Sequence, residues 1–152
     1  MSAVDGVRIE RVDGETMLRD WQYVHNEIIP TYECRSTRCG SARSATKLEV
    51  AYLGDVLVGC STVRPPADDP EAATVIARVL PGYRRRGIGG ELYARGVQQA
   101  REFGATAIET IVLASNVDGL RFAQARGFTE IESYLLPGDT VPFLTLRRAT
   151  LD

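Results

Sequence analysis

Residues 79–92, VLPGYRRRGIGGEL, decide how this chain reads. The run before them, ATVIARVL (73–80), has the continuous apolar character of a central strand, and Pro81-Gly82 breaks it. After them, Leu92, Tyr93, Val97, Ala100 and Phe103 recur on one helical face from about Ile88 to Phe103, and Gly104 can close that helix in a left-handed conformation. A strand that enters a helix through a glycine-rich turn offers free backbone N–H groups and the positive end of the helix dipole to an anion. Gly87, Gly89 and Gly90 clear side chains from the approach, and Arg84, Arg85 and Arg86 bring charge to it. The stretch therefore predicts a pyrophosphate cradle. A solvated basic turn, its glycines merely capping and starting elements, is the plainer reading of the same residues. The turn lacks the Gly-Lys-Ser/Thr ending of a triphosphate loop, and Leu92 stands where a dinucleotide fingerprint has its third glycine.

Working outward, Val7 to Val12 alternates in the manner of a strand. Met17, Leu18, Trp21, Val24 and Ile28 then form one helical stripe that Pro30 ends. The polar segment 31–44 reads as a long connection of the kind that often carries function. KLEVAYLGDVLVGCSTV (47–63) is a hairpin about Gly54-Asp55. Beyond the arginine turn and its helix, AIETIVLAS (107–115) is a strand, Ser115 or Asn116 caps a short helix that Gly127 stops, and two strands close the chain around PGDT. The predicted order β-α-β-β-β-α-β-α-β-β is mixed α+β, one domain over residues 1–152.

Composition narrows function. A net charge of -2 at 25% charged residues argues against nucleic acid as a partner, so any anion site is local. The N-terminus has no secretory pattern and no window approaches a membrane span, so a cytoplasmic location is expected and no membrane partner. Cys34, Cys39 and Cys60 are odd in number and read as reduced thiols. With His25 the sole histidine, no four-ligand metal set assembles and no metal is expected. His25 itself reads as a hydrogen-bonded helix residue rather than a catalytic base.

The stretch 79–92 resembles the acetyl-CoA-binding motif of the GNAT superfamily of N-acetyltransferases, Arg/Gln-x-x-Gly-x-Gly/Ala, with Arg84, Gly87 and Gly89 at its positions. NVDGLRFAQARGF (116–128) resembles the second motif of that family, and the element order is similar over nearly the whole chain. The resemblance implies a central, mostly antiparallel sheet with a splayed parallel pair, flanked by helices. It implies acetyl-CoA as co-substrate, its pyrophosphate on the backbone from Arg85 through Ile88 to Gly90, and its pantetheine arm against the strand at Arg78, Val79 and Leu80, beside Asn116. A backbone N–H of Val79 or Leu80 would be the oxyanion donor.

One departure matters. Many members carry a tyrosine seven residues after the second-motif asparagine, and Ala123 stands there. Glu109, Glu71 and Tyr134 remain as candidate acids or bases, each with a surface or ion-paired reading beside it. The acceptor groove implied by the fold lies among Trp21, Tyr23, the segment 31–44 and residues 134–143, and Arg35, Arg38 and Arg43 suggest a carboxylate-bearing acceptor. Transfer of acetyl to an amine of a small molecule or protein is the expectation. A non-catalytic acyl-CoA-binding module is the alternative that Ala123 keeps open. Family members are often dimers, so a homodimer is a further expectation, though no self-complementary patch is legible.

Overall fold

A computed structural model describes residues 6–28, 46–67, 70–138 and 140–151. The elements follow the predicted order: β1 (Val7–Arg11), α1 (Glu15–Ile28), β2 (Lys47–Leu53), β3 (Val56–Arg64), β4 (Ala72–Val79), α2 (Ile88–Glu102), β5 (Ala107–Leu113), α3 (Val117–Ala125), β6 (Thr129–Tyr134) and β7 (Phe143–Arg148), with a 3-10 turn at Pro81–Tyr83. Gly104 ends α2 at φ +84°, in the left-handed region expected of it. The segment with Cys34, Cys39, Arg35, Arg38 and Arg43 lies outside the described residues.

The strands form one sheet in the order β1-β2-β3-β4-β5-β7-β6. Every pairing is antiparallel except β4 with β5, which holds only Ala72 to Ala107, Ala73 to Ile108 and Thr74 to Glu109. Beyond Thr74 each strand keeps its outer neighbour instead. β4 stays paired with β3 up to Val79 opposite Gly59, while β5 follows β7 from Ile108 to Leu113. That divided loyalty opens the sheet. Gly59 permits the close run of β3 beside β4, since a Cβ there would lie 2.7 Å from the Arg78 carbonyl oxygen.

Strand alternation gives the sheet two buried faces. On one, α1 lays Trp21 and Val24 against Leu48, Val50 and Cys60. On the other, Ile88 and Leu92 of α2 meet Ala51 and Val58, and Val97 and Ala100 meet Val63, Val75 and Ile108. Glu49, the one buried carboxylate among the described residues, is matched on that face by Arg95 (Nε 2.8 Å, Nη2 2.7 Å) and Gln99 (3.0 Å).

Candidate active site where β4 and β5 part

The divergence of β4 and β5 leaves a cavity of about 430 Å3. Its lining comes from both faces of the sheet. Gly87, Gly89, Gly90, Asn116, Phe122 and Ala123 lie on the α2 and α3 side, and Ile28, Ile76 and Arg78 lie toward α1. The gap therefore connects the helix starts to the opposite face, and its size is that of a small-molecule site.

At the turn, no side chain caps α2: Gly87 stands at its start with φ +86°, and the N–H groups of the first helical turn have no intrahelical partner. Arg85, at φ +65°, is the one non-glycine residue with positive φ among the described residues. Such a conformation costs of order 1–3 kcal/mol and gathers at functional sites. The glycines have reasons to be glycines. A Cβ on Gly89 would lie 3.1 Å from Phe122 Cε2, and one on Gly90 would lie 3.2 Å from Arg126 Nη2. An uncapped helix start with its side chains cleared, among arginines, fits a pyrophosphate.

The three arginines divide their work. Arg84 donates from Nε to the Val79 carbonyl at 2.9 Å and from Nη1 to Asp118 at 3.0 Å, so it ties the turn to β4 and α3. Arg85 lines the cavity. Arg86 is not among the lining residues, and its guanidinium lies 5.5 Å over the Tyr83 ring. Arg121 of α3 and Arg126 just after it line the cavity and were not singled out in the sequence. Arg126 stacks 3.8 Å over Phe122. Their signal was faint because two arginines on a short helix look like a solvated face. Asn116 accepts from the Gly119 N–H at 3.0 Å and also lines the cavity, so it caps α3 and borders the gap together.

Leu80 requires a correction as an oxyanion donor, because its N–H already donates to the Val58 carbonyl at 2.8 Å. Backbone direction alternates along a strand, which turns the Val79 N–H toward the unpaired side facing β5.

Nor are the candidate acids brought to this place. Glu109 pairs with Arg147 Nη1 at 3.0 Å and sits opposite Thr74, five residues and about 16 Å of strand below Val79. Glu71, 3.9 Å from Arg147, lies just before β4 begins, farther still. Tyr134 stacks on Phe143 at 5.7 Å, outside the lining, and burial raises its pKa above the usual tyrosine value. Ala123 is buried and leaves no hydroxyl at its position. Tyr93 lines the cavity, and burial raises its pKa against the opposing pull of Arg148 and Arg126.

The model of a family described as "Acetyltransferase (GNAT) family" matches residues 15–128. No curated protein matches the chain. Among solved structures, the chain is similar to an N-acetyltransferase from Staphylococcus aureus Mu50 (16% identity, 96% of this chain and 99% of that one, TM-score 0.75). It is similar also to a ribosomal-protein-alanine N-acetyltransferase from Brucella melitensis (17%, 93% and 99%, 0.73). A third is yncA from Salmonella typhimurium, solved with its cofactor acetyl-CoA (16%, 97% and 95%, 0.71).

Proposed function

The chain belongs to the GNAT family of acetyltransferases, with acetyl-CoA as co-substrate, and from that premise we propose that it acetylates a primary amine in the gap between β4 and β5. The observation that carries this reading is the cavity that begins at the uncapped start of α2 and passes through the parted sheet to the α1 face.

Acetyl-CoA supplies an activated acyl group: the amine nitrogen bonds to the carbonyl carbon, the C–S bond breaks, the nitrogen loses a proton and the thiolate gains one. The chain holds and orients. The N–H groups of Arg85 to Gly90, with Arg85, Arg121 and Arg126 around them, hold the pyrophosphate. The Val79 N–H, facing the gap, donates to the carbonyl oxygen as charge gathers there. Phe122, Tyr93 and Val112 wall the site with apolar surface. Neither Glu109 nor Glu71 serves as base, an assignment that their distance from Val79 supports. A thiolate leaves readily, since thiols titrate near 8.5, and water carries the amine proton.

The test is thiol release from acetyl-CoA over a panel of amines, with wild type and Glu109→Gln. Release with at least one amine, with Glu109→Gln within about tenfold of wild type, is expected, since a general base commonly contributes 10²–10⁴-fold. Complete loss in a folded Glu109→Gln protein that still binds acetyl-CoA makes Glu109 the base. Binding of acetyl-CoA without release from any amine favours the acyl-CoA-binding module that Ala123 suggests.

A further inference from the structure

Arg78 is the one buried arginine or lysine among the described residues, 5% exposed. Its β4 register sets it opposite Cys60, on the face that carries α1. Its Nη1 donates to Thr62 Oγ1 at 3.1 Å and reaches Cys60 Sγ at 3.9 Å, both neutral, and its Nε has no partner. Its guanidinium lies 5.6 Å from the Trp21 ring, which stacks in turn on His25. No carboxylate among the described residues pairs with it, although the sheet's buried carboxylate, Glu49, is fully matched. A buried cation without an anion is costly.

Among the described residues, the titratable groups beside it, Cys60 and His25, do not supply the missing charge. Burial pushes the Cys60 thiol up to about 11, against the opposing pull of Arg78. Burial, and then the charge of Arg78, holds His25 at about 4, with its Asn26 hydrogen bond opposing. Both are uncharged near neutral pH. Arg78 also lines the cavity, with Ile28 and Ile76, on the side away from the start of α2.

We infer that Arg78 is the acceptor-recognition residue of this site and that the acceptor is a small amine carrying a carboxylate, an α-amino acid or a similarly short amino acid. The inference rests on the acetyltransferase reading. Arg78 directly precedes Val79, whose N–H faces the gap, and a strand advances about 3.3 Å per residue. The Arg78 side chain leaves the strand beside Val79 and carries its guanidinium out to Thr62, opposite Ile76, so an acceptor that meets it while its amine attacks beside Val79 is short. Polyamines and lysine side chains bring positive charge instead and offer Arg78 nothing.

Trp21, the only tryptophan, reports on Arg78 directly. The twenty standard amino acids and their carboxamides are titrated against wild type and Arg78→Gln by Trp21 fluorescence, and the same compounds and spermidine are assayed for thiol release from acetyl-CoA. The expected result is a saturable fluorescence change with at least one amino acid, weakened about 10- to 100-fold for its amide, the range of a hydrogen bond to a charged group. kcat/KM follows the same order. Arg78→Gln raises KM for the acid and abolishes the preference, and the acetyl-CoA Kd, set by the start of α2 and by strand backbone that the substitution leaves in place, moves less than that KM. Equal use of amides or spermidine, or silence of wild type toward every amino acid in both assays, overturns the inference. Amino-acid binding without thiol release from any compound leaves Arg78 assigned and removes the acetyltransferase reading. Thiol release without preference for acids does the reverse. The wild-type comparison decides even where Arg78→Gln fails to fold, and Arg78→Lys, which keeps charge but not the planar fork, is expected to retain part of the preference.

Discussion

His25 shows what a single residue can say about its surroundings. At 7% exposed, it stacks 5.2 Å from Trp21 and donates from Nδ1 to Asn26 Oδ1 at 3.1 Å. Its pKa falls from 6.5 to about 4, so the unfolded chain takes up a proton near pH 6.5 that the native chain refuses until about pH 4. Stability contributed by the neutral ring is complete above pH 6.5 and declines between 6.5 and 4 by up to about 1.4 kcal/mol per pH unit. His25→Phe, which keeps the stack on Trp21, is predicted to show a shallower loss of urea stability between pH 7 and 4.5 than wild type. Parallel pH profiles for the two proteins would count against it. The sequence placed His25 on a helix and set it aside as a catalyst, but could not show the cation near it. That knowledge needs the register of β4, because Arg78 in a run of apolar residues looks the same whichever face it takes. By contrast Arg84, Gly87 and Gly89 were legible, since their roles depend on spacing within one turn.

At the scale of elements, α2 must start at the gap and dock firmly along β2 to β4. Packing of Leu92, Val97 and Ala100 supplies most of that, and Glu49 supplies a polar latch to Arg95 and Gln99. Arg95→Ala leaves a buried carboxylate with one neutral donor and is expected to cost about 1–3 kcal/mol by urea unfolding. Arg95→Ala with Glu49→Gln is expected to recover part of that cost; strict additivity of the two would show that no latch exists. Elements and their order follow from periodicity and from turn residues such as Gly54 and Gly104. Pairing does not. That β7 inserts between β5 and β6 is a non-local choice, visible only in the register from Ile108 opposite Arg148 to Leu113 opposite Phe143. The early end of the β4 and β5 ladder, on which the site depends, came to the sequence reading only through the family resemblance.

Across the whole molecule a net charge of -2 coexists with a cavity whose α2 and α3 side is lined by Arg84, Arg85, Arg121 and Arg126. Attraction for a polyanionic coenzyme is thus local and short in range. Raising salt from 0.05 to 0.5 M is expected to weaken acetyl-CoA binding about three- to tenfold, and an affinity indifferent to salt would place the phosphates elsewhere. The central claim is that the start of α2 and the gap beside β4 form the acetyl-CoA site. Gly89→Val tests it most directly, because its Cβ alone would come 3.1 Å from Phe122 and 3.5 Å from Val79 Cγ2 inside the cradle. Calorimetric titration with acetyl-CoA should show one-to-one binding to wild type and at least about tenfold weaker binding to a folded Gly89→Val protein. Unchanged affinity in that variant, or no binding to wild type, would contradict the account.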